Sequence, residues 1–338
     1  MADRGDVLIA RRVMELVLRH QRKGQHTGGC ARTPCPDCRD AHLARVTRYV
    51  EAGEPVRFVL PAFPGKSPNA AKVLGTLPDT AERLALDFLA GLTARIRAVH
   101  APGAEILICS DGRVFSDAVG IPDPHITGYQ REMQRLIDAL PEPSGIGLFN
   151  LEDVPEFAGL GHDRMRQLLA ERYAEPLESL KERVRAGEEV ALYRAMTRFL
   201  FEDGDTPGRT GSRAALQRDA RARAYTVMQR SKAWGDLLAE RFPGAVRLSI
   251  HPQSCGAEKL GIHLVDTPDN WLTPWHSVAL DTGGGRYVLV KRSEAEGRGA
   301  EPVLVAGRPS HYALRSPVTA PVTAPVTAAA PAPAASAA

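Results

Sequence analysis

Cysteine and aromatic residues are scarce in this chain, neither sign of charge is in clear excess, and long apolar runs are missing; each absence removes a class of protein. Five cysteines in 338 residues, three of them crowded between Cys30 and Cys38, are too few and too clustered for the disulfide framework of a small secreted domain. Reduced thiols or a metal account for them better. Lys and Arg number 43 against 40 Asp and Glu, a formal charge of +3, so no global field draws the protein onto nucleic acid or an anionic membrane. Aromatics make up 6% and do not interleave with basic residues as a nucleic-acid groove requires. No stretch approaches the roughly 18 apolar residues of a membrane span. The opening MADRGDVLIARR puts acids where a secretory signal needs a cationic start. The expected location is the cytoplasm, with neither membrane nor nucleic acid as partner. What is present is hydrophobic residues, at 43%, enough to fill a real core in a chain of this length.

Val7, Leu8, Val13, Met14, Leu16 and Val17 recur at helical spacing over residues 6–20, an amphipathic helix lying on the body of the protein. A Gly- and Cys-rich stretch precedes a second helix at 37–52. Residues 56–60 form a β-type run stopped by Pro61. A long helix over 79–99 carries Leu84, Leu86, Phe88, Leu89, Leu92 and Ile96 and is opened by Pro78 and Asp79. A strand at 104–109, a helix at 124–140 and a strand at 145–149 follow. This alternation predicts an α/β fold with a Rossmann-like, mostly parallel sheet flanked by helices. Residues 161–242 read as an almost continuous, Arg-rich helical insert interrupted by EDGDTPGRTG at 202–211. A fourth strand is expected at 246–250, and 277–280 with 287–290 flank a TGGG turn as a C-terminal β-hairpin. The expected domains are an N-terminal helix with a Cys/His segment (1–36), a catalytic domain (37–315) and a disordered tail (316–338). In that tail Pro-Val-Thr-Ala repeats and too little apolar surface exists to order the chain.

In open α/β sheets ligands bind beyond the carboxyl ends of the strands, and four such ends here run into LPAFPGKSPN, CSDGRVFSD, LFNLED and IHPQSCGAEK. The first offers Lys66, Ser67 and Asn69 on a loop stiffened by Pro64, Gly65 and Pro68, an ammonium and a hydroxyl suited to phosphate. It is not a nucleotide P-loop, because Leu60 stands where that pattern needs glycine. A plain turn with a solvated lysine is the alternative. In the second loop Asp111, Arg113 and Asp117 surround a glycine, and a guanidinium there either grips a carboxylate or phosphate or braces its own loop. Arg223 and Arg230, seven residues apart, share a helix face, with Ser231 beside them; a solvated basic face is the simpler reading. His251 and His276 sit at predicted strand edges with near-neutral pKa values suited to proton transfer, although a lone histidine is commonly structural. Lys259 and Lys291 either anchor an anion or lie in solvent. His26, Cys30, Cys35, Cys38 and His42 contain a C-x2-C knuckle and enough ligands for tetrahedral zinc. Free thiols are the alternative, and a redox CPDC lacks the preceding strand of a thioredoxin-like unit.

Taken together, FVLPAFPGKSPNAAKVLGTLPD, ICSDGRVFSDAVGI, RSKAWGDLL, RLSIHPQ and TPWH resemble the pyoverdine/dityrosine biosynthesis family, the isonitrile synthases, in order over residues 37–295. The resemblance implies an enzyme of secondary metabolism that converts the α-amine of an amino acid, typically tyrosine or tryptophan, into an isonitrile. Ribulose 5-phosphate is the implied one-carbon donor, and no redox cofactor is required. A separate Fe(II)/2-oxoglutarate-dependent oxygenase is the implied pathway neighbour. On this footing Lys66 and Ser67, with Arg230, are expected to hold the sugar phosphate and Arg113 a carboxylate. Asp117, Ser231 and Lys259 are further substrate-binding candidates, while Asp111, His251 and His276 are expected to move protons. The metal expectation is a structural zinc at Cys30, Cys35, Cys38 and His42. Two other readings stay open: a phosphosugar lyase or isomerase with a Schiff-base lysine, and a nucleic-acid-binding protein built from the knuckle and the Arg-rich helix 210–232.

Overall fold

Alternate residues of the first strand serve two different cores, and this dictates a layered architecture. In β1 (Val56–Ala62) Phe58, Leu60 and Ala62 enter one apolar cluster while Val59 enters another, as a period-two strand buried on both faces must. The computed structural model describes residues 3–22, 34–206, 208–265 and 272–314. β2 (Ala104–Ser110) repeats the pattern, with Ile106 and Ile108 on one side and Cys109 on the other. With β3 (Ile146–Phe149), β4 (Val246–Ser249) and β5 (Lys259–Gly261) they form a five-stranded, wholly parallel sheet in the order β3-β2-β1-β4-β5. One face is covered by α1 (Arg4–Leu18), α2 (Pro36–Ala52), α3 (Thr80–Arg97) and α5 (Asp123–Asp138). The other carries α4 (Gly112–Val119), α6 (His162–Tyr173), α8 (Val190–Gly204) and α9 (Arg213–Arg241), with α7 (Leu177–Arg185) packed outside against α9.

The expected α/β class and the C-terminal hairpin are present, with physical reasons for the departures. Pro61 does not stop β1, which runs on to Ala62. Pairing with β4 involves only Phe58 and Val59, so the missing amide hydrogen leaves no ladder bond unmade on that side. DGRVFSDAV, read as a loop, folds into α4; β5 is only three residues long and gave no periodic signal. The helical insert breaks into four helices, α6 to α9. The hairpin, β6 (Val278–Asp281) with β7 (Tyr287–Val290), is one half of a four-stranded sheet ordered β7-β6-β9-β8. It is completed by β8 (Ala300–Val305) and β9 (Arg308–Leu314) after the short α10 (Arg292–Gly297). The N-terminal helix does not stand apart, since Val13, Met14, Val17 and Leu18 belong to the same cluster as the strands. The tail expected from 316 lies outside the described residues.

The chain leaves β1 for β2 and β3 on one side and returns through the helices to β4 on the other. The topological switch, where crevices open, therefore falls between β1 and β4. The loops leaving β1 and β2 touch at Gly112, where a Cβ would stand 1.9 Å from the Pro64 carbonyl oxygen. Gly112→Ala therefore pushes the two loops apart and lowers unfolding stability by about 3 kcal/mol. A urea midpoint equal to that of the wild type would show that the loops separate freely.

Candidate active site

Phe63, at the end of β1, adopts φ 59, a left-handed conformation that disfavours any residue with a Cβ. It is held there by a fully buried ring packed on Trp275, with centroids 5.2 Å apart, and by Ser110 Oγ donating to its carbonyl at 3.0 Å. The turn aims Lys66 inward. The Lys66 ammonium is wholly buried, 2.8 Å from Asp79 Oδ2 and 2.8 Å from Glu82 Oε2, and it donates to the Pro274 carbonyl at 3.0 Å. Asp79 and Glu82 are also the capping box of α3. Burial opposes the charge on Lys66, yet the two carboxylates hold its pKa above the ordinary lysine value. Burial, with Asp79 close by, pushes Glu82 up to about 7 even against the pull of Lys66. Lys66 thus has its donors committed inside the protein. The expected phosphate-holding role does not fit this placement, and neither does a Schiff-base role, which needs a neutral amine.

The rest of the loop is clasped to the end of α8. Ser67 Oγ donates to Asp203 Oδ1 at 2.8 Å, Lys72 Nζ reaches the same oxygen at 2.5 Å, and Asn69 Nδ2 donates to the Glu202 carbonyl at 2.8 Å. His276 joins this group: its Nδ1 lies 3.9 Å from Asp203 Oδ2, and neither atom has a hydrogen-bond partner among the described residues. Burial, aided by the cations Lys72 and Lys66, lowers the His276 pKa to about 4 against the opposing pull of Asp203 and Glu202. The imidazole is neutral at neutral pH and available as a base. Lys72, Arg198, Glu202, His276 and Lys291 line a cavity of about 290 Å3 against the Phe199 ring. Arg198 also lines an adjoining cavity of about 530 Å3, where Arg194 and Arg221 face Tyr193 and Phe201. Cations converging beside a perturbed imidazole and an apolar wall are the ordinary makings of a site for a small anionic ligand.

The second loop holds a buried acid and a brace. The Asp111 carboxyl caps nothing, its Oδ1 has no partner among the described residues, and burial pushes it up to about 7. Arg113 is 1% exposed and fully engaged: Nε with Glu152 at 2.6 Å, Nη1 with Asp123 at 2.7 Å and Nη2 with Thr127 Oγ1 at 2.7 Å. Asp123 also accepts from Arg166 and Ser116; against burial, these bonds and Arg113 hold it well below the usual carboxylate range. The carboxylate that Arg113 grips is therefore the protein's own. Arg230 pairs with Asp117 at 2.6 Å, and Arg223 donates to the Ala118 carbonyl at 2.9 Å, so both point inward and tie α9 to α4. This corrects two expectations, the solvated basic face and a phosphate role for Arg230. Ser231 is exposed on α9. His251, exposed beyond β4, and Lys259 on the edge strand β5 do not line the His276 cavity. Of the zinc candidates, His26 and Cys30 lie outside the described residues. Cys35 and Cys38 converge on Cys255, whereas His42 engages the Ala257 backbone and stands outside the cluster.

The model of the pyoverdine/dityrosine biosynthesis protein family matches residues 46–303. This chain belongs to that family. Over 313 residues, 91% of this chain and 95% of the relative, it is 52% identical to an L-tyrosine isonitrile synthase of Pseudomonas aeruginosa. It is 47% identical to an L-tyrosine isonitrile synthase of Xenorhabdus nematophila, covering 82% and 83% of the two chains. An L-tryptophan isonitrile synthase of Fischerella ambigua is 42% identical, covering 90% and 92%. The crystal structure of the PvcA protein of Pseudomonas aeruginosa superposes with a TM-score of 0.84 at 51% identity, over 91% of this chain and all of the other. Family membership thus agrees with the parallel sheet and the appended smaller one.

Lys72, Arg198, Glu202 and Asp203 are candidate site residues that sequence reasoning missed. Lys72 lies three residues beyond the stretch singled out as a phosphate loop. Glu202 and Asp203 fall where glycines marked a break, although an acidic pair closing a helix was a visible signal. Arg198 carried no signal among so many arginines. Asp111 leads to a test. Its folded pKa is raised from 3.8 to about 7, so the native state keeps a proton that the unfolded chain releases between those values, and stability falls as pH rises through that window. Asp111→Asn is expected to flatten part of this fall, measured by urea unfolding from acid to neutral pH. An unchanged slope would place the carboxyl in water.

Proposed function

We propose that this protein is an isonitrile synthase that converts the α-amino group of L-tyrosine into an isonitrile, with ribulose 5-phosphate as the one-carbon donor, in secondary-metabolite biosynthesis. The names of the relatives at 52% and 47% identity favour L-tyrosine over the L-tryptophan of the relative at 42%. The observation that carries the reading at the site is the cavity where Lys72, Arg198 and Lys291 converge on a neutral His276 backed by Asp203. Two anionic groups need cations in this chemistry, the sugar phosphate and the amino-acid carboxylate, and the cavity with its Arg-lined neighbour supplies both sets. The amine adds to the ketone, water leaves, and enolisation, phosphate loss and carbon–carbon cleavage follow; each step moves a proton or stabilises an anion. His276 takes protons in this scheme, held toward Asp203, while Lys72 and Arg198 bear the developing charge. None of these steps calls on a redox cofactor. The isonitrile acid then suits a separate Fe(II)/2-oxoglutarate-dependent oxygenase.

The test is mass spectrometry of the purified protein incubated with ribulose 5-phosphate and each of the twenty amino acids. The isonitrile acid of tyrosine is expected. Absence of any isonitrile, or a borohydride-trapped sugar–protein adduct formed without amino acid, would replace this reading with a phosphosugar lyase. His276→Asn is expected to lower kcat by roughly 10²–10⁴-fold. Because the His276 pKa is about 4, kcat/KM of the wild type stays level from neutral pH down through pH 6 and falls only as the imidazole protonates. A break near 6.5 would remove His276 from the base role.

A further inference from the structure

We propose that Cys35, Cys38 and Cys255 form a zinc site that fastens the N-terminal helices to the edge of the parallel sheet. Cys35 is the N-cap of α2 and Cys38 lies in its first turn, while Cys255 arrives from the β4–β5 connection, 220 residues later. The sulfurs stand 3.5 Å apart between Cys35 and Cys255 and 3.9 Å between Cys38 and Cys255, and all three fall within 4.8 Å of one another. A disulfide requires about 2.05 Å and joins two sulfurs; this is a triangle of three thiols. A tetrahedral zinc with Zn–S bonds of about 2.3 Å sets its sulfurs about 3.8 Å apart, a spacing that the two pairwise distances bracket.

The three thiols are gathered by neighbouring groups, and Cys255 Sγ also donates to Asp37 Oδ2 at 3.7 Å. Gln21 Nε2 donates to Cys38 Sγ at 3.1 Å, and the positive end of the α2 dipole meets both Cys35 and Cys38. Three soft thiolates select zinc over hard cations and supply three of its four tetrahedral positions. Cys35 and Cys38 are 3% and 2% exposed and Cys255 is half-buried, so most of the cluster is closed to solvent, as at a structural metal. The segments so joined need a tie. β5 is a three-residue edge strand, and Gln21, just beyond α1, bridges to Ile262 at its end. A metal here links α2, this bridge and the loop that leaves β4 at His251. The site is independent of the His276 cavity, so its success or failure does not depend on the reaction proposed above.

The full-length protein, purified without chelator and passed over a desalting column, is expected to carry about one zinc per chain by inductively coupled plasma mass spectrometry. Cys255→Ser and Cys38→Ser are expected to retain zinc at least about tenfold less well, while Cys109→Ala, which alters a buried thiol outside the cluster, keeps it. Should the serine variants fail to fold, the wild type still decides the matter. X-ray absorption at the zinc edge is expected to show sulfur neighbours at about 2.3 Å, and cobalt substitution to give thiolate charge-transfer bands with tetrahedral d–d intensity. Metal-free protein that takes up no added zinc, iron in place of zinc, full zinc retention by the Cys38→Ser/Cys255→Ser double variant, or a Cys35–Cys255 disulfide found by peptide mapping would each overturn the site.

Discussion

One buried ammonium fixes the geometry around the crevice. Taking a lysine out of water costs several kcal/mol, recovered only where opposite charges and hydrogen bonds surround it closely. Lys66 meets this requirement with Asp79 and Glu82 at 2.8 Å and the Pro274 carbonyl at 3.0 Å. The carboxylates open α3 and the carbonyl belongs to the turn that bears His276. A single charge therefore sets the start of a helix and a distant turn relative to the end of β1. With that register set, Ser67 and Lys72 reach Asp203, and His276, two residues beyond Pro274, comes to rest beside the same carboxylate.

A second ion network performs a similar task on the far side of β2. Arg113, Arg166 and Asp123 interlock with Glu152, Ser116 and Thr127 and leave almost no surface of either arginine exposed. Asp117 and Arg230 extend the network to α9. Most charged residues of the DGRVFSD motif thus hold the scaffold and do not face a cavity. A site that stabilises developing anions gains from such rigidity, because cations fixed in advance need no reorganisation during the reaction. Strain at Phe63 fits the same picture, an unfavourable backbone angle kept by the packing around it.

Much of the architecture was readable from residue order. Hydrophobic spacing and capping signals place a helix over 79–99 and strands at 56–60, 104–109 and 246–250, and these became α3, β1, β2 and β4 with ends shifted by a residue or two. Such signals are local, since a helix face repeats within a turn and a strand face within two residues. β5, β8 and β9 gave no comparable signal, being short or largely exposed, and α4 was hidden within a motif that reads as a loop.

Sequence alone determined the α/β class, the parallel order of the early strands, the family and the regions that supply the crevice. It marked His276 and Ser67 as candidates, which the structure brings to the same carboxylate, and two of the three converging thiols. Tertiary structure decided the partners of the charges. Lys66 turned to Asp79 and Glu82, Arg113 to Asp123, Arg230 to Asp117, and Cys35 and Cys38 to Cys255 in place of His42. The reason is that ion pairs, hydrogen bonds and thiol contacts act over about 3–4 Å in space, while the groups they join here can be separated by 136 or 220 residues of chain. Periodicity carries no information on that scale.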